Sequence, residues 1–178
     1  EIKETMQEMS FRTVALLGDE LCPLDVLDGI LSSGQNSRLV AKLLRQQRLV
    51  TSISTSSYTP DWGKGMFSVS LRCSPDKADA AEKAVLAELA LVAERGVDAA
   101  ELERAKRQII AAFVYEQQSV ESVSHQLGSD YLATGDASFS KIAIASAGWK
   151  FAFLLRSLRD DHEPLPAASE TPAEAVSL

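Results

Sequence analysis

MFSVSLRCSPDKADAAEKAVLAELALVAERG, running from Met66 to Gly96, is the stretch that decides the fold. In its opening residues Phe67, Val69, Leu71 and Cys73 fall on one side, and Ser68, Ser70 and Arg72 on the other. Such alternation marks a strand half-buried in a sheet whose one face is covered by helices. The period then changes abruptly. Ser74, Pro75 and Asp76 supply a cap residue, a proline for the first turn and an acid suited to the positive end of a helix. Val85, Leu86, Leu89 and Val92 form the apolar stripe of that helix, and Gly96 ends it as a C-cap.

Toward the C-terminus, Asp98 and Glu101 stand at capping-box spacing before a helix with the stripe Leu102, Ala105, Ile109 and Phe113. Val120, Val123, Leu127 and Tyr131 continue helical spacing to a stop at Thr134-Gly135-Asp136. Toward the N-terminus, Val50–Tyr58 is rich in β-branched and hydroxyl residues and reads as a strand, joined to the next by the turn Thr59–Gly65. Phe11–Leu17 is a short β-rich run. Pro23 opens a helix carrying Leu24, Leu27, Ile30 and Leu31, which Ser32–Asn36 breaks. Ser37 is placed to cap a second helix bearing Leu39, Val40, Leu43 and Leu44. Strand, two helices, two strands and then several helices make an α+β fold: a largely antiparallel sheet with helices packed on one face.

The chain has 178 residues, enough for one large domain, and its 46% apolar content supports a sizeable core. A net charge of −7 argues against a nucleic-acid partner. The densest basic group, Arg104, Lys106 and Arg107, is interrupted by Glu101 and Glu103 and reads as a solvated helix face. No apolar run reaches the roughly 18 residues a membrane span needs. Ile142–Leu155 comes closest and is broken by Gly148 and Lys150. Cys22 and Cys73 cannot form a disulfide framework, and the position of Cys73 on the apolar side of its strand predicts a buried free thiol. The chain opens at Glu1 with neither a methionine nor a signal peptide, which places its natural start upstream.

Catalytic and metal-binding patterns are scarce. Zinc requires three or four N, S or O ligands at about 2.0–2.3 Å, and His125 and His162 are the chain's two histidines. Neither stands in an H-x-x-E-H, an H-E-x-x-H or a Cys/His cluster, so no metal ligand is assigned. Ser119–Ser124 followed by His125 suggests a nucleophile and base, but no acid is placed to orient the imidazole. Asp160-Asp161-His162-Glu163 reads as a solvated charge run. The loop Ser32–Ser37 has a single glycine and no G-K-[ST], which removes a phosphate cradle. No catalytic residue follows from the sequence.

The segment Leu24-Asp25-Val26-Leu27, followed by Ile30–Leu39 (ILSSGQNSRL), resembles the "LDVL…ILSxGxxSRL" stretch of the insulinase (pitrilysin) family of zinc metallopeptidases. It is similar to the second, non-catalytic domain of that family. The likeness continues through Leu44–Val50, the strand Met66–Cys73, Gly96–Lys106 and Gln126–Gly135, covering about residues 5–140. The resemblance implies two similar α+β domains facing each other across a chamber. One domain carries an inverted H-x-x-E-H zinc motif, and the other helps to hold peptide substrate. It follows that zinc and the general base belong to a partner catalytic domain and that this chain needs no cofactor of its own.

The resemblance also implies an arginine after the second helix and a tyrosine about seven residues later, both directed at the substrate backbone. Arg45 stands at the arginine position, while the tyrosine position falls on Thr51 or Ser52. Arg45 is therefore the one substrate-contact candidate. The alternative is an ordinary surface arginine, favoured at a helix C-terminus by the macrodipole.

Three regions are expected: a non-catalytic domain over 1–140, an atypical apolar segment over 141–162 and a disordered tail over 163–178, rich in Pro, Ala, Ser and Glu. The abrupt loss of resemblance after Phe139 suggests a frameshifted or truncated end. Loss of the domain's last strand and helix would expose an edge strand and apolar surface and favour self-association. The reading is thus the chamber-completing half of a zinc peptidase, inactive alone, with the catalytic zinc-motif domain and a peptide as partners. The alternative is a stand-alone structural or interaction module of the same fold, and a third reading is an independent hydrolase.

Overall fold

The computed structural model describes residues 4–17 and 21–145. Three strands, β1 (Thr5–Ala15), β2 (Ser52–Tyr58) and β3 (Lys64–Cys73), form an antiparallel sheet in the order β1-β3-β2. The helices are α1 (Leu21–Ser32), a π-helix at Val40–Gln46, α2 (Ala78–Arg95), α3 (Ala99–Glu116) and α4 (Val120–Thr134). A further helical stretch at 139–145 crosses residue 140, and the remainder of the apolar segment and tail at 146–178 lies outside the described residues. The α+β fold expected from the sequence is the fold observed.

The alternation along β3 builds the core. Phe67, Val69, Leu71 and Cys73 are buried, and they meet Ile53, Leu31, Leu39, Leu43, Ala81 and Val85 in one cluster. Each large side chain removed from water there contributes about 1.5–3 kcal/mol. A second cluster, Val26, Ile30 and Ala105, joins α1 to α3. On the other face, Arg72 is exposed, whereas Ser68 is only 5% exposed, beneath the hydroxyl of Ser10 at 3.0 Å.

Several elements depart from their expected bounds. β1 begins six residues before Phe11, because Thr5 to Arg12 pair with Cys73 to Met66 in unbroken register. Cross-strand pairing there overrides a weak local preference. Its register with β3 shifts between Arg12 and Ala15, so Leu17 falls beyond the strand. β2 starts at Ser52 rather than Val50. Ser37 does not cap the second helix: its Oγ donates to the Gly34 carbonyl at 2.6 Å. That helix widens into the π form, in which the Gln47 N–H reaches the Lys42 carbonyl at 2.9 Å.

Around α2, Pro75–Lys77 form a short 3-10 turn, and the Ser74 side chain makes no cap bond. Leu86 is exposed, since the buried line along α2 runs through Ala81, Val85 and Glu88 with Leu89 and Val92 beside it. Leu86 sits one residue, or about 100°, off that line. Glu88 is buried because Lys42 pairs with it. Gly96 ends α2 with φ 71°, and Gly135 ends α4 with φ 81°.

Candidate functional site

Arg45 lies in the last turn of the π-helix and is exposed. Its Nη2 donates to the Gln35 Oε1 at 2.5 Å and its Nη1 to the Gln35 carbonyl at 3.5 Å. Gln35 belongs to the loop that separates α1 from the next helix. That loop is shaped by Gly34, whose φ of 85° suits a residue without a Cβ. Among the described residues no carboxylate forms an ion pair with Arg45. Among the described residues the guanidinium is held by the neutral amide and the carbonyl of Gln35.

The two residues at the tyrosine position have other roles. The Thr51 hydroxyl stands 3.1 Å from the Glu4 Oε1 and 3.2 Å from the Arg72 carbonyl. Ser52 opens β2, opposite Arg72, and is exposed. Neither offers an aromatic ring. Beside them, Arg48 is the one non-glycine residue with positive φ, at 51°, among the described residues. Its carbonyl accepts from the Lys77 Nζ at 2.9 Å, which ties this bend to the start of α2.

A second polar centre lies between α1 and β2. The Ser32 Oγ accepts from the Thr55 N–H at 2.9 Å and stands 2.7 Å from the Thr55 Oγ1, which also donates to the Asp28 Oδ1. Asp25 sits one turn earlier on the same helix. Loss of water pushes its carboxyl up to about 6, against the pull of the Ser57 hydroxyl and with help from the Asp28 charge. Asp28 is raised as well, by burial, against its hydrogen bond from Thr55. The two acids stand three residues apart on α1, with Asp25 exposed and Asp28 half-buried beside β2.

The described residues do not fit a zinc ion, because no three His, Cys, Asp or Glu side chains converge. His125 lines a shallow hollow with Glu116, Glu121, Ser122 and Gln126. The nearby serines are already engaged. Ser119 Oγ accepts from the Ser122 N–H at 3.0 Å as the cap of α4, and Ser124 Oγ donates to the Val120 carbonyl at 2.7 Å. His162 lies outside the described residues. Cys73 is a buried free thiol, its pKa pushed up first by burial and then by the charges of Asp76 and Glu4. No described helix is long and apolar enough to cross a membrane.

Sequence reasoning missed the strongest polar contact near the "SRL" segment. Arg38 donates from Nε and Nη2 to the two carboxylate oxygens of Glu101, at 2.8 and 2.7 Å. Glu101 also accepts from the Asp98 N–H at 3.1 Å, closing the expected capping box. The hydrogen bond from Arg38, ahead of the cost of burial, holds the Glu101 carboxyl below its ordinary value.

Comparison with known proteins gives the context for this geometry. No curated protein matches the chain in sequence. Among solved structures, the chain is similar to a protease from Helicobacter pylori, with a TM-score of 0.71 and 21% identity. The match covers 89% of this chain and 38% of that one. A peptidase M16 inactive domain from Pseudomonas fluorescens superposes with a TM-score of 0.77 at 16% identity, over 92% of this chain and 38% of that one. A chain of complex III2 from Candida albicans matches with a TM-score of 0.68 at 14% identity, over 85% and 39%. The chain thus spans well under half the length of each. The sequence profile of the peptidase M16 inactive domain matches residues 1–109. This bears out the resemblance read from the sequence, and the chain belongs to the family of peptidase M16 inactive domains.

Proposed function

We propose that this chain is the substrate-chamber half of a zinc peptidase, supplying a wall and a peptide contact while a partner domain supplies zinc and the attacking water. The observation that carries the reading is the match to the inactive-domain profile over residues 1–109. Arg45 is the residue assigned to the substrate. Its guanidinium is exposed, faces no carboxylate among the described residues and is oriented by Gln35. A charge so held can donate to a peptide carbonyl or a C-terminal carboxylate at little reorganisation cost. Without a ring at Thr51 or Ser52, Arg45 acts without the tyrosine that the family pattern pairs with it.

The test is peptide cleavage by the zinc-motif half mixed with this chain. Arg45→Ala is expected to lower kcat/KM about tenfold or more, the loss of one charged hydrogen bond. Unchanged kinetics would remove Arg45 from the substrate. The second reading, a structural module of the same fold, is favoured by the likeness to a chain of complex III2. It requires a stable complex with a constant partner in which cleavage never appears.

A further inference from the structure

β1 is an edge of the sheet. β3 pairs with one side of it, and no other strand pairs with it among the described residues. It is eleven residues long and contains no proline or lysine. A long edge of this kind offers a row of unpaired N–H and C=O groups to any strand that can align with it. Its charged residues are Glu8 and Arg12 alone.

Those two charges are the informative feature. They stand at equal distances on either side of Ser10. When β1 is laid antiparallel on a copy of itself about Ser10, Glu8 of each copy faces Arg12 of the other. The remaining pairs also match: Met9 with Phe11, Met6 with Val14, and Gln7 with Thr13. Met6 is 68% exposed and Phe11 39% exposed, so both have apolar surface to lose. Alignment one residue away in either direction would break the charge match and set the wrong side chains opposite one another.

We propose that two copies of this chain join edge to edge along β1, antiparallel about a twofold axis at Ser10, into one continuous sheet. The contact is isologous and closes on itself, so it yields a dimer and not a fibre. The pairing is firmest over Glu8–Arg12, since the register with β3 shifts beyond Arg12. Apolar residues and backbone groups supply attraction, while the two Glu8–Arg12 pairs fix the register.

Sedimentation velocity on the full chain over a range of concentrations reads the assembly. A monomer–dimer equilibrium is expected. Glu8→Arg or Arg12→Glu turns both charge pairs repulsive, and each change should weaken dimerisation about tenfold or more. The double variant Glu8→Arg/Arg12→Glu restores opposite pairs and should restore the dimer. This rescue separates the register from any general damage to the fold. Ser10→Cys should oxidise to a covalent dimer, because residues directly opposite in an antiparallel pair sit about 4.5–5.5 Å apart, within disulfide reach. Met6→Cys should not, and the unsubstituted chain, which carries Cys22 and Cys73, is the control for both. A chain that stays monomeric throughout would overturn the proposal. So would a dimer indifferent to single charge reversal, or one that dissolves instead on Leu127→Asp, which would assign the contact to the exposed face of α4.

Discussion

Glu101→Ala removes three contacts at once, and its cost can be worked from their geometry. The carboxylate accepts two hydrogen bonds from Arg38, at 2.8 and 2.7 Å, and one from the Asp98 N–H at 3.1 Å. The Arg38 and Glu101 side chains are 20% and 17% exposed, so this is not the solvated surface pair that contributes almost nothing. A hydrogen bond to a charged group contributes about 1.5–3 kcal/mol, and a capping contact about 1 kcal/mol. With the two-pronged Arg38 contact counted as one charged interaction, the loss should be about 3 kcal/mol, or a fall of about 6–12 °C in Tm for a chain of this size. The assay is urea and thermal unfolding of four proteins: the parent, Glu101→Ala, Arg38→Ala and the double variant. A coupling of about 1–2 kcal/mol between the two sites is expected. Additive effects, with coupling below about 0.3 kcal/mol, would refute the claim that this pair ties the "SRL" segment to α3.

The pH dependence has a defined sign. The folded pKa of Glu101 lies below its ordinary 4.5, so its stabilisation is fully present above that value and is lost as the pH falls through the folded pKa. Glu101→Gln, which keeps a capping side chain, should therefore flatten the acid limb of the stability profile while costing less at neutral pH than Glu101→Ala.

Two further outcomes follow from single positions. Gly65→Ala should destabilise by about 2–3 kcal/mol in urea unfolding, because a Cβ there would stand 2.5 Å from the Tyr58 carbonyl oxygen and 2.8 Å from that of Val14, both backbone atoms. An unchanged midpoint would mean that the β2–β3 turn yields freely. Asp25, pushed up to about 6 from 3.8, makes folding take up a proton, so stability should decline as the pH rises from about 4 to about 6. Asp25→Asn should remove that part of the slope, and a profile identical to the parent would contradict the loss of water assigned to Asp25.

Much of the fold was legible because the decisive signals are local. The alternation of Phe67, Val69, Leu71 and Cys73, the Asp98–Glu101 capping box and the glycines that end α2 and α4 all act within a few residues. What escaped is set by contacts between distant segments. Thr5–Ser10 has little strand character of its own and is a strand because β3 lies beside it. Leu86 looked like part of the stripe, but the core meets α2 along Ala81, Val85 and Glu88, and a buried glutamate is acceptable only because Lys42 comes to it across the fold. Val120 reads as a continuing apolar stripe yet is 85% exposed, and Leu127 and Tyr131 are exposed with it. At the candidate site the position of Arg45 was legible, whereas its tether to Gln35 depends on how the π-helix turns the loop back. The Asp28–Thr55 contact was hidden for the same reason, since it joins α1 to β2 across 27 residues of sequence.

The most direct test of the central claim measures zinc content and peptide cleavage for the purified chain alone, and then for the chain mixed with an H-x-x-E-H half. The expected result is substoichiometric zinc and no cleavage by the chain alone, followed by chelator-sensitive cleavage that requires both halves. Tight stoichiometric zinc in the isolated chain, or cleavage by it that survives chelation, would contradict the account.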